Sequence, residues 1–268
     1  MSQVEKNDKE LVFVIGFPKS GNTWLARLIA EVTNSNIMAT NPVDDTDNSI
    51  NREGKYRIYK LHEADTISIS KSSRVVYIVR DVRDVLVSAF YFNNRFINED
   101  CVKIGSYKCG WLSRALSKLY FRHQIRRMNK KWCGNELTVL RNLWRRKKSL
   151  VGSWSDHVFT WTKRSNVIVK YEDLLQDTEN ELRKILILLH IDVNDDVLKK
   201  AISNQSFEKK KLKFMKTDNT KNVQFLRSGK AGGWREELVP GLVKKIEMRH
   251  SLMMNEYGYK LEEYKGKK

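Results

Sequence analysis

Apolar residues along this chain gather into short runs that alternate with stretches of helical period. Leu11–Phe17 (LVFVIGF) is β-branched and aromatic, long enough for a buried strand and too short for a buried helix. Tyr56–Leu61 (YRIYKL) alternates as a strand does, and Arg74–Val79 (RVVYIV) is the near-continuous run of a strand in a parallel sheet. Asn166–Lys170 (NVIVK) reads as a fourth strand. From Asn22 the apolar positions Trp24, Leu25, Leu28, Ile29 and Val32 recur at helical spacing. Asp81 is placed to cap a helix reaching about Phe96, with Val85, Ala89 and Phe92 on one face. Ser153–Lys163, Asp177–His190, Asp195–Ser203 and Glu237–Tyr257 read as further helices, the second with Leu182, Ile185, Leu186 and Leu189 on its buried side. Ser35–Gly54 reads as a loop and Gln205–Gly233 as mostly irregular and Lys-rich.

Strands separated by helices imply βαβ units, hence an α/β fold: one three-layer domain over 1–268 with a central, mainly parallel sheet. The stretch 95–148 is patterned as two or three short helices and reads as a basic helical insertion that caps the acceptor side. In such sheets ligands bind beyond the carboxyl ends of the strands. Lys19, His62 and Arg80 each follow an expected strand, so three segments send chemically capable side chains to one edge.

Composition narrows the class. A chain of 268 residues, 41% hydrophobic and 31% charged, can bury one ordinary α/β core. No apolar run approaches the ~20 residues of a membrane span, and MSQVEKNDKE has no secretory h-region. Cys101, Cys109 and Cys133 are odd in number and lack C-x-x-C spacing, as expected of reduced thiols in a cytoplasmic protein. Cys109, Cys133 and His123 match no ligand spacing, so no metal site is assigned. Much of the net charge of +18 lies between Lys103 and Lys148, where 14 Lys/Arg face one acid, Glu136. With Trp132 and Trp144 interleaved, that segment fits a nucleic-acid binder, a recruiter of an anionic acceptor, or a solvated helical face; the solvated face is preferred.

The chemistry starts at the first loop. Gly16 and Gly21 keep the G-x-x-x-x-G spacing of a phosphate-binding loop, and Thr23 stands where a Mg-binding hydroxyl would be. The position before it is Asn22 rather than Lys, and the ammonium has moved inside the loop to Lys19. Such a loop aims backbone N–H groups and a helix N-terminus at one anion, without the Lys–Mg arrangement that serves a triphosphate. A Mg-dependent P-loop kinase is therefore an alternative that Asn22 speaks against. A basic nucleic-acid-binding protein on an idle nucleotide fold is the other.

PKSGNTW at Pro18–Trp24 resembles the PKSGTTW loop of sulfotransferases that use 3′-phosphoadenosine 5′-phosphosulfate (PAPS). The resemblance recurs in order: YKLH at Tyr59–His62, YIVRDVRDVLVSAFYF at Tyr77–Phe92, GSWSDHVFTW at Gly152–Trp161, VKYEDLLQD at Val169–Asp177, and FLRSGKAGGW at Phe225–Trp234. It implies transfer of a sulfonyl group from PAPS to a hydroxyl (or amine) of a small-molecule acceptor, with adenosine 3′,5′-bisphosphate as product and no metal. It implies His62 as general base, Lys19 on the bridging oxygen of the leaving nucleotide, and Lys60 in support. The donor site it implies comprises Pro18, Lys19, Ser20, Gly21, Asn22, Thr23, Trp24 against the adenine, Arg80 and Ser88 on the 3′-phosphate, Tyr171, Phe207, and Arg227, Ser228 and Gly229 of the late loop. Ser228 stands where the family usually has Lys, Gly233 where it has Asp, and Val82 where Pro is common. Arg80 has a plainer reading as an ion pair with Asp84, and His157 reads as a packing or structural residue. The sequence sets neither the acceptor nor the oligomeric state.

Overall fold

A computed structural model describes residues 9–39, 52–62, 69, 73–93, 152–216 and 229–263. These divide between two compact units, one drawn from Met1–Arg80 and Leu150–Asp218, the other from Asp81–Ser149 and Asn219–Lys268.

The first unit is an α/β sandwich. Its strands are β1 (Glu10–Gly16), β2 (Asn36–Ala39), β3 (Tyr56–Leu61), β4 (Arg74–Val79) and β5 (Val167–Lys170). They pair in the order β2-β3-β1-β4-β5, and all four ladders are parallel. Its helices are α1 (Asn22–Val32), α3 (Trp154–Thr162), α4 (Tyr171–Gln176), α5 (Thr178–Leu188), α6 (Asp195–Asn204) and α7 (Phe207–Lys216), α2 belonging to the other unit.

Alternation along the strands divides the side chains between two faces. Val12, Val14, Ile58, Val76, Ile78, Val167 and Val169 join Leu25, Leu28 and Ile29 of α1, Leu182, Ile185 and Leu186 of α5, and Leu198 of α6 in one core. Tyr77, one residue out of phase with Val76 and Ile78, turns to the opposite face and meets His157 of α3. Helices thus cover both sides of the sheet, the expected layering. The glycine loop leaves β1 at the centre, with β3 on one flank and β4 on the other, so the ends of three strands surround it.

The second unit contains α2 (Val82–Asn93), the short α8 (Trp234–Glu237) and α9 (Pro240–Glu256). Asp81 caps α2 as expected, accepting from Arg83 N at 2.9 Å. Val87, Trp234 and Val243 form its small apolar core.

Three expectations need correction. Ser35–Gly54 is not all loop: Asn36–Ala39 is an edge strand whose only partner in the described sheet is β3. Gln205–Gly233 is not irregular throughout, because Phe207–Lys216 is helical, while 217–228 lies outside the described residues. The last helix starts at Pro240 rather than Glu237, with Leu238 extended ahead of it and Pro in the first turn, where its missing N–H costs nothing. No described helix is long and apolar enough to cross a membrane. The basic insertion 95–148, with Cys101, Cys109, Cys133 and His123, lies outside the described residues.

Candidate functional site

β1 ends at Gly16 and the chain turns through Phe17–Gly21, closed by Ser20 N donating to Phe17 O at 3.0 Å. The turn demands unusual backbone. Lys19 has φ 74° and Gly21 φ 105°, the left-handed region. Gly21 has a second constraint, since a Cβ there would lie 2.7 Å from Cδ2 of Tyr171. α1 then starts with no side-chain cap, whereas Ser153, Asp177 and Asn194 cap α3, α5 and α6 with their side chains. Trp24 N and Leu25 N both donate to Gly21 O, so the donors that the loop and the start of α1 present to one spot are the N–H groups ahead of them. Ser20 is fully buried there and its hydroxyl has no hydrogen-bond partner among the described residues. A buried orphan hydroxyl beside uncapped N–H groups suits an oxyanion.

Lys60 sits near the end of β3, 3% exposed, with Nζ 3.5 Å from Thr23 Oγ1. Val14 is opposite Lys60 in the ladder, so Lys60 rises on the face that α1 covers. His62 follows β3 directly, half-buried, with Nδ1 3.0 Å from Gly16 O. A carbonyl oxygen only accepts, so this contact is a hydrogen bond in the tautomer that carries the proton on Nδ1; Asn22 Nδ2, 3.2 Å from the same nitrogen, would donate to it in the other tautomer. Asn22 is 2% exposed and its Nδ2 donates to Gly16 O at 2.8 Å and to Leu61 O at 3.2 Å.

Arg80, just after β4, donates from Nη1 to Lys19 O at 3.1 Å, and its guanidinium carbon lies 4.1 Å from the centre of the Tyr171 ring. Trp24 meets the same ring edge-on at 5.9 Å. The unit therefore gathers Lys19, Ser20, Asn22, Thr23, Trp24, Lys60, His62, Arg80 and Tyr171 around one loop. Pro18 is within that loop, and Phe207 heads α7 with Lys211 Nζ 5.9 Å from its ring centre.

His157 is fully buried on α3, bonded through Nδ1 to Tyr77 OH at 2.9 Å and edge-on to Phe17 at 5.5 Å. Burial, and secondarily the charge of nearby His62, push it down to about 3, so the ring is neutral at physiological pH.

In the second unit Ser88 is half-buried on α2 and Gly229 has φ 58°; Arg227 and Ser228 lie outside the described residues. Asp84, weighed as a partner for Arg80, accepts from Gly232 N at 2.6 Å and Trp234 N at 3.0 Å. Among the described residues no group of three or more His, Cys, Asp or Glu is placed to hold a metal ion.

Sequence reasoning found side chains and missed the carbonyls that hold them. Gly16 O, Leu61 O and Lys19 O anchor His62, Asn22 and Arg80, and a carbonyl has no residue-type signature; the strand-end positions of Gly16 and Leu61 were the available signal.

Residues 9–258 match the family described as "Sulfotransferase domain". Among curated proteins, Sulfotransferase 2A1 of Macaca fascicularis is 23% identical over 257 residues, covering 85% of this chain and 79% of that protein. The 3-beta-hydroxysteroid sulfotransferase of Cavia porcellus is 24% identical over 296 residues, covering 96% of this chain and 90% of that one. Among solved structures, mouse sulfotransferase SULT7A1 complexed with PAP superposes with a TM-score of 0.58 at 24% identity, covering 91% of this chain and 84% of that chain.

Proposed function

The chain belongs to the sulfotransferase domain family, and from that premise we propose that it moves a sulfonyl group from PAPS to a hydroxyl (or amine) of a small-molecule acceptor by in-line transfer. The bound donor supplies the sulfonyl group; the S–O bond to its bridging phosphate oxygen breaks, a bond from sulfur to the acceptor oxygen forms, and the acceptor's proton passes to the enzyme. His62 takes that proton on Nε2, the ring atom left as acceptor once Nδ1 donates to Gly16 O. Lys19 places its ammonium against the charge developing on the bridging oxygen, and Lys60, held near Thr23, adds positive charge on the same side.

Within the first unit, donor binding falls to the uncapped loop Pro18–Thr23, the Trp24 and Tyr171 rings, and Arg80 on the 3′-phosphate. Phe207 flanks the adenine; Ser88, Arg227, Ser228 and Gly229 are donor-site residues by sequence resemblance alone. The orphan hydroxyl of buried Ser20 is the observation in the loop that best fits an oxyanion. Lysines take the charge-neutralising role that a divalent ion has in phosphoryl transfer.

The observation that supports this reading best is the contact of His62 Nδ1 with Gly16 O, which sets the ring beside the loop that carries Lys19. The test is release of adenosine 3′,5′-bisphosphate from PAPS with a panel of phenols, alcohols and amines. Product release must depend on acceptor and on Lys19. Equal background from the wild type and Lys19→Ala sinks the assignment, and Mg²⁺-dependent ATP turnover replaces it with a kinase.

A further inference from the structure

We infer that Asn22 is a positioning residue for the proton-accepting histidine: its side-chain amide clamps the ends of two neighbouring strands and so holds His62 with Nε2 as the basic atom. Calling His62 a general base rests on the functional reading above; the clamp itself rests on geometry alone.

Gly16 and Leu61 are the last residues of β1 and β3, with Ile15 opposite Leu61 in the ladder. Their carbonyl oxygens lie where the sheet ends and need donors from outside it. The Asn22 amide supplies two hydrogens, and both are used, one on Gly16 O at 2.8 Å and one on Leu61 O at 3.2 Å. The opposite amide orientation would set an oxygen against two carbonyl oxygens at those distances, so chemistry fixes which end is nitrogen.

Gly16 O has two lone pairs. One takes Asn22 and the other takes His62 Nδ1 at 3.0 Å, which requires hydrogen on Nδ1. Asn22 Nδ2 also lies 3.2 Å from His62 Nδ1, and that contact becomes a hydrogen bond only if Nδ1 is bare and Leu61 O gives up its amide donor. Were Nδ1 bare, its lone pair would face the oxygen of Gly16. The arrangement is therefore closed for one neutral tautomer, with the lone pair on Nε2. It stays closed when Nε2 gains a proton, because Nδ1 then still donates.

What remains on Asn22 argues against a direct contact from its side chain to the donor's sulfate. Its Oδ1 is buried and unpartnered, and an oxygen cannot donate to an oxyanion. Asn22 contributes to the anion site through its backbone N–H. A threonine in its place would carry a single hydroxyl proton and could serve only one of the two carbonyls.

The experiment needs two measurements. First, the five histidines of the wild-type protein are examined by ¹⁵N NMR, with His62 assigned by its loss in His62→Gln. A pyrrole-like Nδ1 and a pyridine-like Nε2 in the neutral ring support the clamp; the reverse pattern overturns it. This measurement requires no change at position 22 and decides the matter even if variants there fail to fold.

Second, Asn22→Thr is compared with wild type. We expect the His62 signals to move toward a mixture of tautomers, kcat to fall about tenfold, as for loss of a group that orients a catalytic side chain, and the dissociation constant for adenosine 3′,5′-bisphosphate to stay within about twofold. Weakened bisphosphate binding with unmoved His62 signals makes Asn22 a donor ligand and overturns the inference. If the wild type itself binds no bisphosphate, the functional reading falls, while the ring signals still support or overturn the clamp.

Discussion

Arg80 and Lys19 are joined by a hydrogen bond of 3.1 Å from guanidinium to backbone carbonyl, across the loop that separates β1 from α1. The same guanidinium lies over the Tyr171 ring at 4.1 Å. One side chain thus fixes the left-handed residue of the loop and the aromatic wall beside it.

Arg80→Ala removes both contacts as well as the cation proposed for the donor's phosphate. A hydrogen bond from a charged group contributes ~1.5–3 kcal/mol and a cation–π contact ~0.5–2 kcal/mol. The dissociation constant for adenosine 3′,5′-bisphosphate should rise by roughly 10–100-fold, read by calorimetry. Arg80→Lys should recover less than half of the lost free energy, because a point ammonium cannot reach Lys19 O and cover a ring at once.

Gly21→Ala tests the loop itself. The added methyl meets Tyr171 Cδ2 at 2.7 Å and the backbone sits at φ 105°, so two penalties coincide. Left-handed backbone alone costs ~1–2 kcal/mol for a residue with a Cβ. The total should be ~2–4 kcal/mol in urea unfolding, among the larger single-site effects, and bisphosphate affinity should fall with it. An unchanged denaturation midpoint contradicts the geometry.

Which parts of this were legible in the sequence follows from where the information lies. β1 and β4 announced themselves because strands buried between helices are apolar on both faces, whereas β3 showed as an alternation and β5 as a short β-branched run. Asn36–Ala39 escaped because four residues at a sheet edge, paired with β3, carry almost no period. Phe207–Lys216 escaped because five of its ten residues are lysine and its apolar positions are sparse. At the site, Lys19, His62 and Arg80 were legible as residue types following strands. Their orientations were not, since those are set by backbone oxygens that every residue possesses.

His157 makes stability depend on pH. Burial lowers it from 6.5 to about 3, so between these values the unfolded chain binds a proton that the folded chain refuses. Stability from this residue is complete above pH 6.5 and is lost as pH falls toward 3, with a limiting slope of ~1.4 kcal/mol per pH unit. His157→Asn, which keeps a polar partner for Tyr77 OH, should be less stable at pH 7.5. Its urea midpoint should also change less than that of the wild type between pH 7 and pH 4.5.

In the second unit Arg83 is 2% exposed, donates from Nε and Nη2 to Asp81 and from Nη1 to Glu247, and lies 3.9 Å from the centre of a Trp234 ring. Arg83→Met keeps most of the volume and leaves two buried carboxylates without their cation. Breaking a buried pair this way costs ~3–5 kcal/mol. Urea unfolding of the variant against the wild type measures the loss.

Lys19 separates stability from activity. Its backbone is held at φ 74° by the turn, a conformation that disfavours a residue with a Cβ by ~1–2 kcal/mol. Glycine has no such penalty there, although its looser unfolded chain gives part of the benefit back. Lys19→Gly should therefore unfold at a urea concentration equal to or above that of the wild type. The same change deletes the ammonium assigned to the bridging oxygen, and loss of one preorganised charge-stabilising group lowers kcat by about 10²–10³. Lys19→Ala removes the ammonium and keeps the strain, so it should match the glycine variant in kcat while unfolding earlier. A lysine retained at a strained position for its charge predicts this split; if both variants keep wild-type turnover, the ammonium inside the turn has no part in the chemistry.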